Sequence, residues 1–319
     1  MIFFDGLLFF ISFIILWFSA KMVIEAVKHF SKSIRVSSFV TSFLILGILT
    51  SISEMSVGVN SLINHRPEVY VGNLIGASFV ILLFIIPVLA IFNRGINLKQ
   101  KLDTPRLILF LALIFSPSVI TLDGRISRFD ALIIFCLYGV FLYFFQKQEN
   151  VWEHISSLGV KQKPDFKNVA KIFIGAALIF IAGNLLVDKT VYFADLIHIP
   201  SFIISLMMIS IGTNLPELVI AFNSLRHKNS DVAFGDYVGS AATNPLLFAI
   251  FTIINGSFSI ANQGFNLTFF IILFGYILFF LFARSKSTIS PKEGLALFLV
   301  YLIFLSAQAI EILVFSPNI

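Results

Sequence analysis

The sequence predicts an all-α polytopic membrane protein whose ten transmembrane helices form two inverted five-helix repeats, with both termini outside. Three observations carry that expectation. The 319 residues are 58% hydrophobic and only 12% charged, against about 25% charged residues in an ordinary soluble domain, and the mean hydropathy is +0.97. The polar residues gather in short islands between stretches of about 20 apolar residues, each long enough to cross a hydrocarbon layer of about 30 Å. Finally, the second half of the chain repeats a polar signature of the first.

Hydropathy and turn residues place the spans at 7–27, 37–63, 69–92, 105–122, 129–146, 169–189, 200–225, 231–254, 266–283 and 294–315. The first is read as a retained span, because Asp5 stands where a secretory signal carries Lys or Arg. The odd-numbered loops hold 17 of the 22 Lys and Arg residues, and the even-numbered loops and tails hold 4, with Lys21 near the inner end of the first span. The positive-inside rule then makes the odd loops cytoplasmic and expects an integral protein of the plasma (cytoplasmic) membrane. The formal charge of +5 follows from those loops rather than from nucleic-acid binding. Membrane lipids and transported cations are the expected partners, and the sequence sets no oligomeric state. The single cysteine, Cys136, excludes an intrachain disulfide or a thiolate cluster and reads as packing.

The longest polar segment separates five spans from five. It divides the chain into a first repeat at 1–146, a cytoplasmic linker at 147–168 and a second repeat at 169–319. Because five is odd, two similar halves must lie in opposite orientations, a plan common among secondary transporters. Sliding the chain by 163 residues matches Ser38–Ser78 to Ser201–Ala241 without a gap. The identities include Thr50/Thr213, Glu54/Glu217, Asn60/Asn223, Gly72/Gly235 and Gly76/Gly239. Chance likeness between apolar helices would match mostly Leu, Ile and Val.

The repeated helices carry polar residues at membrane depth. A carboxylate at the bilayer centre costs about 2.5–3.5 kcal/mol and faces a partner or an aqueous path. Glu54 and Glu217 lie 12 and 9 residues, or ~18 and ~14 Å, from the nearest charged loop residues, Arg66 and Arg226. A lone buried Glu can simply bond to a neighbouring helix, but duplication weighs against that reading. Thr50, Ser51 and Ser53 precede Glu54, and Thr213, Asn214 and Pro216 precede Glu217. Positions four apart on a helix share a face, so Thr50 is expected to converge with Glu54, and Thr213 with Glu217. Pro216 interrupts the backbone ladder near Gly212 and Thr213. In the eighth span Asp236, Ser240 and Asn244 recur every four residues along one face, and Asn244-Pro245 marks a kink. Carboxylate, hydroxyl, amide and carbonyl oxygens without His or Cys suit a hard cation such as Ca²⁺ or Na⁺.

The motifs Leu49-Thr-Ser-Ile-Ser-Glu54 with Gly72-Asn-Leu-Ile-Gly76, and Gly212-Thr-Asn-Leu-Pro-Glu217 with Gly235-Asp-Tyr-Val-Gly-Ser240, resemble the two inverted repeats of the cation/calcium antiporter superfamily, nearest to prokaryotic sodium/calcium exchangers. The resemblance implies Glu54 and Glu217 as central ligands. It implies Thr50, Ser51 and Thr213 as flanking oxygens, with Ser240 and Asn244 from the eighth helix. It also implies alternating access, in which the first and sixth helices slide against the other eight, with no resident cofactor and no enzymatic chemistry. Leu49, Ser53, Ala77, Ser78 and Ile81 depart from the family pattern in the first half, and Asn214, Asp236 and Ala241 in the second. Ile81 puts hydrocarbon where relatives place an oxygen, so the site is expected to lean on the second half, with Asp236 offsetting the loss. The ions implied are Ca²⁺ and Na⁺, with H⁺ coupling or another divalent cation as the alternative. An intramembrane aspartyl protease, the remote alternative, needs two facing Asp residues, and only Asp236 lies deep in a span.

Overall fold

The computed structural model describes residues 2–31, 47–97, 103–149, 166–197, 199–218, 230–260, 265–285 and 288–315. The centre of the expected linker, 150–165, and the expected span segments 37–46 and 219–225 lie outside the described residues. The helices are α1 (Ile2–Ser31), α2 (Gly47–Thr50 and Ile52–Ile63, joined through Ser51), α3 (Pro67–Phe92), α4 (Thr104–Ile120) and α5 (Arg128–Glu149) in the first half. The second half holds α6 (Phe166–Leu196), α7 (Ser201–Leu218), α8 (Ser230–Asn255), α9 (Phe265–Ser285) and α10 (Pro291–Phe315). Among the described residues, α3 to α10 are long and apolar enough to cross a membrane, and α1 carries the apolar stretch Phe3–Ser19.

Local chemistry fixes several helix starts. The Asp103 carboxylate accepts the Arg106 amide at the start of α4, at 3.2 Å. Ahead of α5, Ser127 donates its amide and hydroxyl to Asp130 at 2.8 and 2.6 Å, and the Asp130 amide returns a bond to the Ser127 hydroxyl. Ahead of α10, Ser290 and Glu293 form the same reciprocal cap, with both donations at 2.7 Å. Each cap satisfies helix-terminal donors that have no partner within the helix. Residues 127 and 130 stand 163 positions before 290 and 293, so the repeat extends beyond the polar helices into the ends of the bundle.

Two short ladders tie the halves together. β1 (Ile96–Asn97) follows α3 and pairs antiparallel with β4 (Thr288–Ile289), which precedes α10. β2 (Arg125–Ile126) precedes α5 and pairs antiparallel with β3 (Phe258–Ser259), which follows α8. One ladder gathers the α3–α4 and α9–α10 loops, and the other gathers α4–α5 and α8–α9. That grouping is what alternating odd and even loops require.

Burial separates an inner group of helices from an outer one. The most apolar windows of α3, α7 and α8 are 83%, 72% and 78% buried, whereas those of α5 and α10 are 22% and 33% buried. Close backbone approach makes the inner group compact. A side chain on Gly72 would strike the Phe202 carbonyl, and one on Gly76 the Leu206 carbonyl, so α3 and α7 cross with their backbones touching. A methyl at Gly47 would come within 2.6 Å of the Gly239 backbone, so α2 and α8 cross in the same way. Small residues are what permit such crossings in hydrocarbon. Phenylalanine serves both groups: Phe79 packs edge-on to Phe304 at 4.9 Å, while Phe3 and Phe173 are exposed on the outer helices.

Two readings need correction. Cys136 is exposed on α5 rather than packed, because α5 turns most of its surface outward. α6 continues to Leu196, past the expected end at 189, because Lys189 is paired with a carboxylate of α1 and does not end the helix. α8 carries Pro245 inside one helix. Gln308, whose surroundings the sequence left open, donates to the Thr268 hydroxyl across α10 and α9.

Candidate functional site

The inner crossing places Thr50, Ser51, Glu54, Thr213, Asn214, Glu217, Asp236 and Ser240 at zero exposure, with Asn244 at 1%. Both helices that carry the glutamates are broken just ahead of them. Helical pairing lapses at Ser51 (φ −71°, ψ 3°) and at Asn214 (φ −87°, ψ 10°), and these two positions are equivalent in the repeat. Around each break the same bonds recur. Ser51 donates to the Gly47 carbonyl at 2.8 Å, and the Asn214 amide donates to the Ser210 carbonyl at 2.7 Å. Thr50 also reaches the Gly47 carbonyl at 3.3 Å, as Thr213 reaches that of Ser210 at 3.4 Å.

Across the crossing, Thr50 donates to Asp236 at 3.2 Å, and Thr213 donates to Asn73 at 3.1 Å. Asn73 is the counterpart of Asp236, so one bond is written twice, once to an amide and once to a carboxylate. Asn73 was not assigned a role from its motif, although its place 163 residues before Asp236 was a usable signal. Each threonine also faces the glutamate of the opposite half: Thr50 interacts with Glu217, and Thr213 with Glu54. These interactions run between the halves, while each threonine also stands four residues ahead of the glutamate of its own half.

The carboxylates of Glu54 and Glu217 are close enough to interact electrostatically, and Glu54 also feels Asp236. Glu217 accepts a bond from Ser240 at 2.8 Å, and Ser240 meets the Ser51 hydroxyl at 3.3 Å. Neither oxygen of Glu54 receives a well-formed hydrogen bond, and one oxygen of Glu217 and the amide oxygens of Asn214 and Asn244 are likewise unpartnered. The amide nitrogen of Asn244 is bonded to Ser78 at 3.2 Å. Buried carboxylate oxygens without donors are costly unless a cation or proton joins them. Among the described residues no three of His, Cys, Asp and Glu converge as a metal-binding group. What the crossing offers is two carboxylates among hydroxyl, amide and main-chain oxygens, which suits a hard, oxygen-seeking cation.

The profile of the sodium/calcium exchanger protein family matches residues 5–147 and 167–310. The chain belongs to this family. It is 21% identical to the sodium/calcium exchanger MaX1 of Methanosarcina acetivorans, over 92% of this chain and 97% of that protein. Its fold is similar to that of the sodium-calcium exchanger NCX_Mj, with a TM-score of 0.66, 19% identity and coverage of 96% of this chain and 99% of that one. It is also similar to the H⁺/Ca²⁺ exchanger CAX, with a TM-score of 0.71, 16% identity and coverage of 98% and 87%. Membership of the wider cation/calcium antiporter superfamily, and a helical polytopic membrane fold, follow from these likenesses. The relatives are transporters rather than enzymes.

Proposed function

We propose that this exchanger-family protein is a secondary active antiporter that trades Ca²⁺ for Na⁺ by alternating access, binding its ions between Glu54 and Glu217. The observation that carries this reading is a pair of fully buried glutamates, one from each half, that interact electrostatically and three of whose four carboxylate oxygens receive no well-formed hydrogen bond. Two carboxylates neutralise one Ca²⁺ or two Na⁺, so the same oxygens serve both cargoes in turn. Thr50, Ser51, Thr213, Asn214, Ser240, Asn244 and Asp236 supply or orient the remaining oxygens. Opposed repeats favour a carrier, whose two access states are mirror arrangements of one fold.

A proton-coupled exchanger of Ca²⁺ or another divalent cation is the second reading. It is favoured by Ala77 and Ile81, which are hydrocarbon at the repeat positions that Ser240 and Asn244 occupy in the second half. Fewer oxygens suit a proton better than a second Na⁺. Proteoliposomes loaded with Na⁺, or held at an imposed pH difference, distinguish the two when uptake of labelled Ca²⁺ is followed. Uptake driven by outward Na⁺ and indifferent to pH is the expected result. Uptake driven by the proton gradient alone would replace Na⁺ by H⁺ in the cycle, and flux that does not saturate would end the carrier reading.

A further inference from the structure

Asp5, in the first turn of α1, and Lys189, two turns from the end of α6, form an ion pair with Nζ and Oδ1 2.7 Å apart. Their side chains are 11% and 20% exposed, and the ammonium also stands 5.7 Å from the Tyr192 ring. The pairs Arg66–Glu68 and Arg106–Asp103 are local in sequence, whereas Asp5 and Lys189 are 184 residues apart and join the two halves. Removing two charges from water costs more than an apolar contact of the same size would. Adhesion between the helices therefore does not account for the pair.

Among the described residues, α1 and α6 share a buried apolar cluster. Phe9 and Leu16 pack with Ala182, Leu186 and Val187, and Phe9 meets Phe193 edge-on at 5.8 Å. Such contacts are non-directional and tolerate sliding, whereas a close charge pair fixes one register. The contacts of α6 with the inner group differ again. Ser56 and Asn60 of α2 donate to the carbonyls of Ile179 and Phe180 at 2.9 and 3.2 Å, and Asn64 donates to Asn184 at 3.1 Å. These are neutral bonds, worth about 0.6 kcal/mol each between membrane helices, and equivalent carbonyls recur one helical turn along α6. The internal repeat does not produce the ion pair, since the counterparts of Asp5 and Lys189 are Asn168 and Ala26. Among the described residues it is an ionic tie between the halves that the duplication does not account for.

We propose that Asp5 and Lys189 are positioning residues that lock the register of α1 on α6, so that the two outer helices move as one body against the inner group. This rests on the alternating-access reading above. Loss of either partner lets one helix lag, which slows the conformational step and leaves the ion site intact.

The test uses the full-length protein in proteoliposomes, in a Cys136→Ser background. Asp5→Asn and Lys189→Gln are each expected to lower the maximal rate of Ca²⁺ exchange about tenfold and leave half-saturating Ca²⁺ within about twofold, because breaking a buried pair strands its partner. The charge swap Asp5→Lys with Lys189→Asp is expected to recover most of the rate. A swap no faster than the single variants, or single variants as fast as the parent, would overturn the inference. In a second arm, Asp5→Cys with Lys189→Cys is joined by a short bifunctional thiol reagent. The joined protein should keep exchanging, and arrest on joining would mean that the helices slide past each other. An unmodified protein with no cation-driven flux would overturn the antiporter reading and this inference with it, whereas arrest confined to the joined form would overturn this inference alone.

Discussion

Glu217 receives a hydrogen bond from Ser240, and Ser240 in turn meets Ser51. At the equivalent place in the first half, Glu54 faces the same crossing with Ala77 where Ser240 stands and Ile81 where Asn244 stands, and neither of its oxygens is bonded. The bonds that shape the crossing are nevertheless present in both halves: Thr50 to Asp236 and Thr213 to Asn73, Ser51 to Gly47 and Asn214 to Ser210. The contact of Gly47 with Gly239 is likewise matched by that of Ser210 with Gly76. Duplication has preserved what positions the helices and released much of what presents oxygens. A crossing fails if either half changes its backbone approach, since each half supplies the surface on which the other rests. On the proposed reading, an oxygen lost from one side only alters how the cargo is shared between the two carboxylates.

The largest effect should come from the carboxylates themselves. Glu217→Gln keeps an acceptor for Ser240 and nearly the same volume, so thermal stability should fall by no more than about 1 kcal/mol, while Ca²⁺ flux drops to the level of empty vesicles. Glu54→Gln should abolish flux as fully and leave stability equal or improved, because a buried carboxylate with no well-formed hydrogen bond has been removed. If the Glu54 variant retained flux, the two halves would be unequal in charge as well as in oxygens, and the central pairing would be wrong.

Next in size is the oxygen that only one half possesses. Ser240→Ala removes a bond to a charged acceptor, worth about 1.5–3 kcal/mol, and should raise half-saturating Ca²⁺ by about tenfold or more. Ala77→Ser is the reciprocal experiment. It returns a hydroxyl to the side of Glu54 and should tighten the site by a few fold, about 1 kcal/mol. Binding read by calorimetry or by Ca²⁺-dependent flux would check both. Equal weakening by the two changes would show that position 77 has no room for an oxygen, and that the asymmetry is one of packing.

Much of this arrangement is legible in the sequence because hydrocarbon is a demanding solvent. Spans must be apolar, charges gather in loops, and a carboxylate at mid-span has few excuses, so Glu54 and Glu217 identify themselves. The gapless shift of 163 residues reveals the repeat from sequence alone. What the sequence concealed depends on contacts between distant segments. The helix breaks at Ser51 and Asn214, and the reach of each threonine to the glutamate of the opposite half, are not legible from spacing alone. Lys189 resembled a span end because its partner, Asp5, lies at the other extreme of the first half. The caps at Ser127 with Asp130 and Ser290 with Glu293 were missed because an Asp in one copy and a Glu in the other match in chemistry and not in letter.

The smallest expected effect tests whether Asp236 makes good the oxygens missing beside Glu54. Its observed bond is with Thr50, and Asn73 makes the same bond to Thr213 in the other half. An amide is therefore enough to hold the threonine, and Asp236→Asn should leave the crossing and the protein's thermal stability unchanged. What the substitution removes is a negative charge that Glu54 feels across the site. Half-saturating Ca²⁺ should then rise by about two- to fivefold, or about 0.4–1 kcal/mol, well short of the loss caused by Glu217→Gln. An unchanged affinity would reduce Asp236 to the role Asn73 already fills, and the second half would then exceed the first only by Ser240 and Asn244.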